Sequence, residues 1–165
     1  MDSRNRRETQ TLKIGDSAPD FTLKTAKQDD WHLKDFHGKK NVVLAFVPFA
    51  FSGVCSIQLP SYEASLESLR DADTEIVSIS MDSAYALDAW AQSIHTTFPM
   101  LSDFYPQGKV VDAYGVRHPA GMAERALFVI DKEGVLRYIE VQHSPGEMPD
   151  NKDLFEALGK IQEEK

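Results

Sequence analysis

The pattern of apolar and polar residues predicts β-structure in the first half of the chain. Residues 20–25, DFTLKT, alternate apolar and polar side chains, and a polar turn separates them from residues 31–36, WHLKDF, so we expect a β-hairpin. Residues 41–49, NVVLAFVPF, form a continuous apolar run, which is typical of a strand buried on both faces. Residues 75–80, EIVSIS, predict a second buried strand.

Apolar residues at helical spacing follow each of these two strands. A stripe at intervals of three and four predicts one amphipathic helix over residues 54–70. Pro60 lies inside this helix and is expected to kink it just past its first turn. Asp82 and Ser83 are N-cap residue types, and the apolar face that follows them, with Leu87 and Trp90, predicts a second helix.

The end of the chain predicts a β-hairpin and a closing helix. Residues 126–131, ALFVID, and 135–141, VLRYIEV, flank a turn in which Gly134 occupies the position that best tolerates a positive φ. The closing helix is expected to open at residues 149–151. The order βαβ followed by ββα predicts an α/β protein with a thioredoxin-like fold, in which helices flank a central mixed sheet that includes an N-terminal β-hairpin.

Length and composition predict one soluble domain. The 165 residues, 42% of them hydrophobic, suffice for one sizeable core, so we expect a single domain over residues 1–165 with a flexible polar start at residues 1–12. The longest apolar run is far shorter than the roughly 18 residues of a membrane helix, and no signal-peptide pattern follows the N-terminal arginines. A cytoplasmic location is therefore expected.

The charge balance argues against two classes of partner. The chain carries 18 Lys and Arg against 26 Asp and Glu, and its net charge of -8 repels nucleic-acid phosphates and anionic lipid surfaces. The five histidines are scattered without the spacing of metal ligands. We therefore expect no nucleic-acid or membrane partner, no metal and no other cofactor.

The only cysteine, Cys55, lies in residues 48–55, PFAFSGVC, where a predicted strand gives way to a predicted helix. A helix N-terminus favours a thiolate, because unpaired backbone N–H groups and the positive end of the helix dipole face it. A lone cysteine is more often a small buried hydrophobe, so the neighbours of Cys55 decide between the two interpretations. A single cysteine cannot form an internal disulfide, which fits a reducing compartment.

Four blocks of the sequence resemble the peroxiredoxin family, in the same order and over nearly the whole chain. They are IGDSAPDFTL at 14–23, PFAFSGVC at 48–55, LSDFYPQGKVVDAYGV at 101–116 and ERALFVIDKEGVLR at 124–137. The element P-x-x-x-[T/S]-x-x-C in the second block is similar to that family's peroxide-reducing cysteine motif. The absence of other cysteines resembles the one-cysteine, alkyl hydroperoxide reductase E-like group. The resemblance also implies a homodimer.

The resemblance assigns four site residues. Cys55 is the expected nucleophile, and Arg125 is expected to hold the thiolate and the peroxide oxygens. Ser52 is expected to bridge substrate and sulfur, and Pro48 to shield the sulfur from solvent. Each of the last three has a simpler interpretation: a surface ion pair for Arg125 beside Glu124, a helix cap for Ser52 and strand punctuation for Pro48.

Two positions depart from the family pattern. Ser52 replaces the commoner threonine, and Gln58 occupies a position where relatives often carry glutamate, so a charge near the site is lost. Gly53 is expected to let the backbone turn tightly beside the substrate.

The residues and the resemblance together predict a thiol-dependent peroxidase. Cys55 attacks hydrogen peroxide or a small organic hydroperoxide and becomes a sulfenic acid, which an external thiol or a redoxin then reduces. One alternative is a thiol–disulfide oxidoreductase of the same fold, although the chain has no C-x-x-C motif. A second alternative is a binding or holdase module in which Cys55 is unreactive.

Overall fold

The computed structural model describes residues 2–164, which form a seven-stranded mixed sheet with five α-helices. The strands are β1 (Thr22–Thr25), β2 (Asp30–His32), β3 (Asn41–Phe46), β4 (Thr74–Ser80), β5 (Met100–Ser102), β6 (Ala126–Ile130) and β7 (Leu136–Val141). The helices are α1 (Cys55–Ala64), α2 (Leu66–Asp71), α3 (Ala84–Ile94), α4 (Lys109–Ala113) and α5 (Asn151–Glu163). The strands lie in the order β2-β1-β5-β4-β3-β6-β7.

Strand β3 lies inside the sheet, as its apolar run predicts. It pairs in parallel with β4 and antiparallel with β6, and all six of its residues are buried. Its end at Phe46 brings the chain to Pro48 and the turn that leads to Cys55. The prediction of a strand buried on both faces is therefore confirmed, although the strand ends at Phe46 and not at Phe49, which is exposed.

Two apolar clusters cover the two faces of the sheet. We call the first the α1 face: there Val43 and Leu127 pack with residues of helices α1, α2, α3 and α5. We call the second the α4 face: there Phe46 and Phe128 pack with helix α4 and with the N-terminal hairpin. Because successive residues of a strand point to opposite faces, β3 and β6 contribute to both clusters.

Several predicted elements differ in extent. The helix expected over residues 54–70 is two helices, since α1 continues through Pro60 and the interruption falls at Ser65. The stretch WHLKDF is a strand only to His32, and a 3₁₀-helix spans Leu33–Phe36. Strand β5 and helix α4 were not predicted, because each is too short to show a periodic pattern.

The hairpin of β6 and β7 forms as predicted, with Gly134 in the left-handed region at φ 81°. A further segment lies along the outer edge of β7. The backbone of Arg6 exchanges two hydrogen bonds with that of Val141, at 3.0 and 2.9 Å. Farther along, the Thr11 hydroxyl donates to the Ala113 carbonyl at 3.0 Å. We call residues 5–12 the N-terminal strap.

Candidate active site

Cys55 is the first residue of helix α1, and its side chain is fully buried. The first hydrogen bonds of this helical segment run from the Ser56 and Gln58 amides to the carbonyls of Ser52 and Val54, at 3.0 and 2.9 Å. The sulfur therefore lies at the positive end of a ten-residue helix, where a thiolate is favoured. The predicted position of Cys55 at a helix start is confirmed.

The turn before Cys55 is built differently from the prediction. The residue in the left-handed region is Phe51, at φ 66°, and Gly53 has no positive φ. Asp82, expected to cap a helix, instead anchors this turn, because its Oδ2 accepts the Ala50 amide at 2.8 Å and the Ser80 hydroxyl at 2.7 Å. Ser83 alone caps helix α3.

Arg125 directly precedes β6 and is 2% exposed, so its guanidinium is buried beside the cysteine. Its Nη1 donates to Cys55 Sγ at 2.9 Å and to Gln58 Oε1 at 2.8 Å. Its Nε and Nη2 both donate to the Pro145 carbonyl, at 3.0 and 2.8 Å. These four bonds hold the planar guanidinium in one orientation, with one edge toward the sulfur.

The simpler interpretation of Arg125 as a surface ion pair is not what the structure shows. Glu124 pairs with Arg6 of the N-terminal strap, and Arg125 points to the opposite side of the strand, toward the α1 face. A buried cation next to a sulfur stabilises the thiolate through a charge-assisted hydrogen bond. The burial and the contact set therefore favour the site interpretation.

Gln58 and Tyr62 complete the contacts behind Arg125. The Gln58 amide donates through Nε2 to the Tyr62 hydroxyl at 2.8 Å, while its Oε1 accepts from Arg125. Burial raises the pKa of Tyr62, so this phenol stays neutral at physiological pH. With a neutral amide at position 58, the guanidinium of Arg125 bonds to the sulfur and, among residues 2–164, to no carboxylate oxygen.

Ser52 and Pro48 lie in the segment that connects β3 to Cys55. Pro48 is buried and follows β3 after one intervening residue, Val47. The Ser52 Oγ is buried and has no hydrogen-bond partner within residues 2–164. A buried hydroxyl without a partner is unusual in a folded protein.

Two of these groups could not be found from the sequence. The Pro145 carbonyl holds Arg125, but a backbone acceptor carries no residue signal. Tyr62 fits the apolar stripe of the predicted helix and reads as a core residue until its hydroxyl is seen against Gln58. Gln58 was singled out only because it departs from the family pattern.

Solved structures of peroxiredoxins share this fold. The chain superposes on Enterococcus faecalis AhpC with a TM-score of 0.82 at 29% identity, covering 90% of this chain and 92% of that one. It superposes on reduced Plasmodium vivax 2-Cys peroxiredoxin with a TM-score of 0.83 at 23% identity, covering 91% and 82%. The predicted thioredoxin-like fold is confirmed, and so is the predicted class of protein, a thiol-dependent peroxidase.

The sequence comparisons agree with the structural ones. The family model described as the AhpC/TSA family matches residues 14–139. Alkyl hydroperoxide reductase E of Mycobacterium tuberculosis is 38% identical over 151 residues, which cover 91% of this chain and 98% of that protein. The chain therefore belongs to the AhpC/TSA family, and its single cysteine fits a one-cysteine mechanism.

Two other kinds of feature are absent from residues 2–164. These residues contain no helix that is long and apolar enough to cross a membrane. Within the same range, no group of three or more histidine, cysteine, aspartate or glutamate side chains is arranged to hold a metal ion.

Proposed function

We propose that residues 1–165 form one peroxidase domain in which the Cys55 thiolate reduces hydrogen peroxide or a small organic hydroperoxide. The sulfur attacks one peroxide oxygen, an S–O bond forms as the O–O bond breaks, and the leaving oxygen takes a proton to depart as water or alcohol. Cys55 is left as a sulfenic acid. The observation that carries this proposal is the 2.9 Å contact between Cys55 Sγ and Arg125 Nη1 inside the protein.

Three neighbours have proposed roles in this step. Arg125 holds the thiolate and stabilises the charge that moves onto the leaving oxygen, as a preorganised donor does in other enzymes. The Ser52 hydroxyl, which is buried without a partner within residues 2–164, binds the incoming peroxide. The buried ring of Pro48 limits the access of water to the sulfur.

The sulfenic acid is reduced from outside the chain. Since the chain has no second cysteine, an external thiol attacks the Cys55 sulfur, forms a mixed disulfide and displaces water. A second thiol, or a redoxin, then releases Cys55 in its reduced form. No metal or organic cofactor takes part in this cycle.

A cytoplasmic homodimer is the proposed setting. Five exposed aromatic residues support self-association, because exposed apolar side chains are the material of interaction surfaces. They are Phe49, Phe51, Tyr85, Phe104 and Tyr105, each more than half exposed. Sedimentation equilibrium of the purified chain tests this, and a monomer at tens of micromolar would contradict it.

Mass spectrometry of the intact protein tests the mechanism. One equivalent of hydrogen peroxide should convert the reduced chain to a sulfenic acid that a dimedone-type probe traps, and excess peroxide should carry it to sulfinic acid. An external thiol added before the excess should protect the protein as a mixed disulfide. A covalent dimer that forms faster than the trapped sulfenate would contradict the external-thiol mechanism. A Cys55 that does not react with peroxide would favour the binding module.

A further inference from the structure

Asn5 and Arg7 of the N-terminal strap continue the sheet on the α1 face. Arg6 pairs with Val141, so its neighbours Asn5 and Arg7 lie beside Gln142 and Glu140 of the β7 edge. Cross-strand neighbours in an antiparallel pair point to the same face. Asn5, Gln142 and Arg125 therefore lie side by side on three neighbouring segments. The backbone amide of Gln142 donates to the Arg125 carbonyl at 2.9 Å.

Asn5 bonds to two parts of the chain at once. Its Oδ1 accepts the backbone amide of His143 at 3.1 Å, and its Nδ2 donates to Glu140 Oε2 at 3.1 Å. Glu140 is 1% exposed, although it is a carboxylate. A buried carboxylate needs partners, and two of them, Asn5 and Arg7, come from the strap.

Arg7 contacts the same carboxylate oxygen of Glu140. Its Nη1 lies 3.3 Å from Glu140 Oε2 and donates to the Tyr138 hydroxyl at 3.2 Å. The Tyr138 hydroxyl in turn donates to Glu140 Oε1 at 2.9 Å. The strap is thus held to β7 by a partly buried network of side chains and not by backbone pairing alone.

This network leads to the carbonyl that orients Arg125. His143 is two residues before Pro145, and the Pro145 carbonyl receives two of the four hydrogen bonds that Arg125 makes. On the opposite side of the strand, Arg6 pairs with Glu124, the residue immediately before Arg125. The two segments that set the position of the guanidinium, residues 143–145 and residues 124–125, are therefore both bonded to the strap.

The strap precedes the part of the chain that matches the family model, which begins at residue 14. We propose that Asn5 is a positioning residue for Arg125: by holding the turn at residues 143–145, it keeps the guanidinium against the Cys55 sulfur. Arg6 and Arg7 keep the strap in place. This inference rests on the proposed role of Arg125 and adds a contribution from outside the family match.

Asn5→Ala in the full chain is the direct test. The substitution leaves the His143 amide unpaired and lets the turn at residues 143–145 shift. Both the rate of peroxide attack and the rate of Cys55 alkylation by iodoacetamide should therefore fall about 10- to 100-fold at neutral pH, because small misplacements of catalytic groups have effects of this size. The midpoint of the alkylation pH profile should move upward. Thr11→Val is the matched control, since it removes a strap contact at Ala113 and should leave both rates unchanged.

A double-variant cycle separates positioning from general damage. On an Arg125→Met background, Asn5→Ala should cause no further loss, because the group that it positions is absent. A loss that persists on that background would overturn the proposal, as would wild-type rates and an unchanged pH midpoint in Asn5→Ala alone. Alkylation does not require peroxide, so this readout remains valid even if the wild-type chain proves to lack peroxidase activity.

Two further measurements keep the proposal testable if Asn5→Ala does not fold. Arg6→Gln removes a partly exposed ion pair and should lower the alkylation rate severalfold in a folded protein; an unchanged rate counts against the proposal. Hydrogen exchange of the wild-type chain should show protected amides at Arg6, whose backbone is paired with Val141. Exchange at the rate of an unstructured peptide would support the flexible start expected from the sequence and overturn the proposal.

Discussion

Strands β6 and β7 carry two different sets of side chains on their two faces. Toward the α4 face they present only apolar groups, among them Ala126, Phe128, Ile139 and Val141. Toward the α1 face, Glu140 joins Leu127 and Tyr138, and Arg125 and Gln142 lie at the end of the same pair of strands. One pair of strands therefore contributes to a purely apolar layer on one side and to a charged, buried site on the other.

The comparison shows what a buried thiolate site requires. A buried cation is unfavourable without partners, and each of the three guanidinium nitrogens of Arg125 donates to an acceptor: a sulfur, an amide oxygen or a carbonyl. The α4 face needs no pairing of donors with acceptors, because it is stabilised by the burial of apolar surface and by close packing. Substitutions on the two faces should consequently separate activity from stability.

The largest effect is expected for Cys55→Ser on the α1 face. The hydroxyl is nearly isosteric with the thiol and a far poorer nucleophile, so peroxide consumption should be abolished while the fold is retained. Stopped-flow measurements with hydrogen peroxide and circular dichroism give the two readouts. Turnover above a small fraction of the wild-type value would show that the reaction does not depend on this sulfur.

Phe128→Ala should produce the opposite result on the α4 face. Phe128 is fully buried, and its ring lies 5.1 Å from that of Tyr114 and 5.5 Å from that of Phe46. Its loss should lower the free energy of unfolding by about 3 to 5 kcal/mol, as for other buried aromatic residues. Urea denaturation measures this change. The rate of Cys55 alkylation, measured well below the melting temperature, should stay within about twofold of wild type, and a larger change would mean that the two faces are coupled.

Arg125→Met should slow peroxide attack by at least about 10²-fold, the usual result of losing one preorganised electrostatic donor. It should also move the alkylation profile to higher pH, because the thiolate loses its cation. Arg137→Met on β7 is the control, since Arg137 pairs with Asp131 and Glu164 away from the sulfur. If both variants alkylate with the wild-type pH profile, Arg125 does not act on the thiolate.

The smallest effect is expected for Asp103→Asn. Asp103 lies just after β5 and is 1% exposed. Burial raises the pKa of Asp103, although the Val111 amide, which donates to its Oδ2 at 2.8 Å, partly opposes that shift. A folded-state pKa above the unfolded one means that the ionised form weakens the fold at neutral pH. Asparagine keeps an acceptor without the charge, so it should raise the free energy of unfolding at pH 7 by a small amount.

The pH dependence checks the sign of this prediction. As the pH falls through the raised pKa, Asp103 becomes neutral in the folded protein, and the difference between wild type and Asp103→Asn should disappear. Urea denaturation from pH 7 down to pH 4 gives the measurement. A gap that widens toward low pH would show that the ionised carboxylate stabilises the fold.

The sequence by itself predicts the elements whose patterns are long. The continuous run of β3, the hairpin at Gly134 and the helix start at Cys55 can all be found from residue order, because period and turn chemistry are local properties. Local patterns fail where an element is short or where tertiary packing decides its end. Strand β5 has only three residues. Helix α1 ends at Ala64, although the apolar residues at helical spacing continue beyond it to Leu66 and Leu69.

The candidate site divides in the same way. Cys55, Ser52 and Pro48 lie within eight residues and form a motif that can be read directly, and Arg125 was assigned by its resemblance to a family pattern. That Arg125 touches the sulfur across 70 positions of sequence is a property of the folded sheet alone. The carbonyl of Pro145, the unpaired hydroxyl of Ser52 and the left-handed Phe51 are likewise tertiary facts. The physical reason is that a backbone acceptor, an unsatisfied donor and a strained φ depend on what surrounds them, whereas periodicity and turn preference depend on neighbours in the chain.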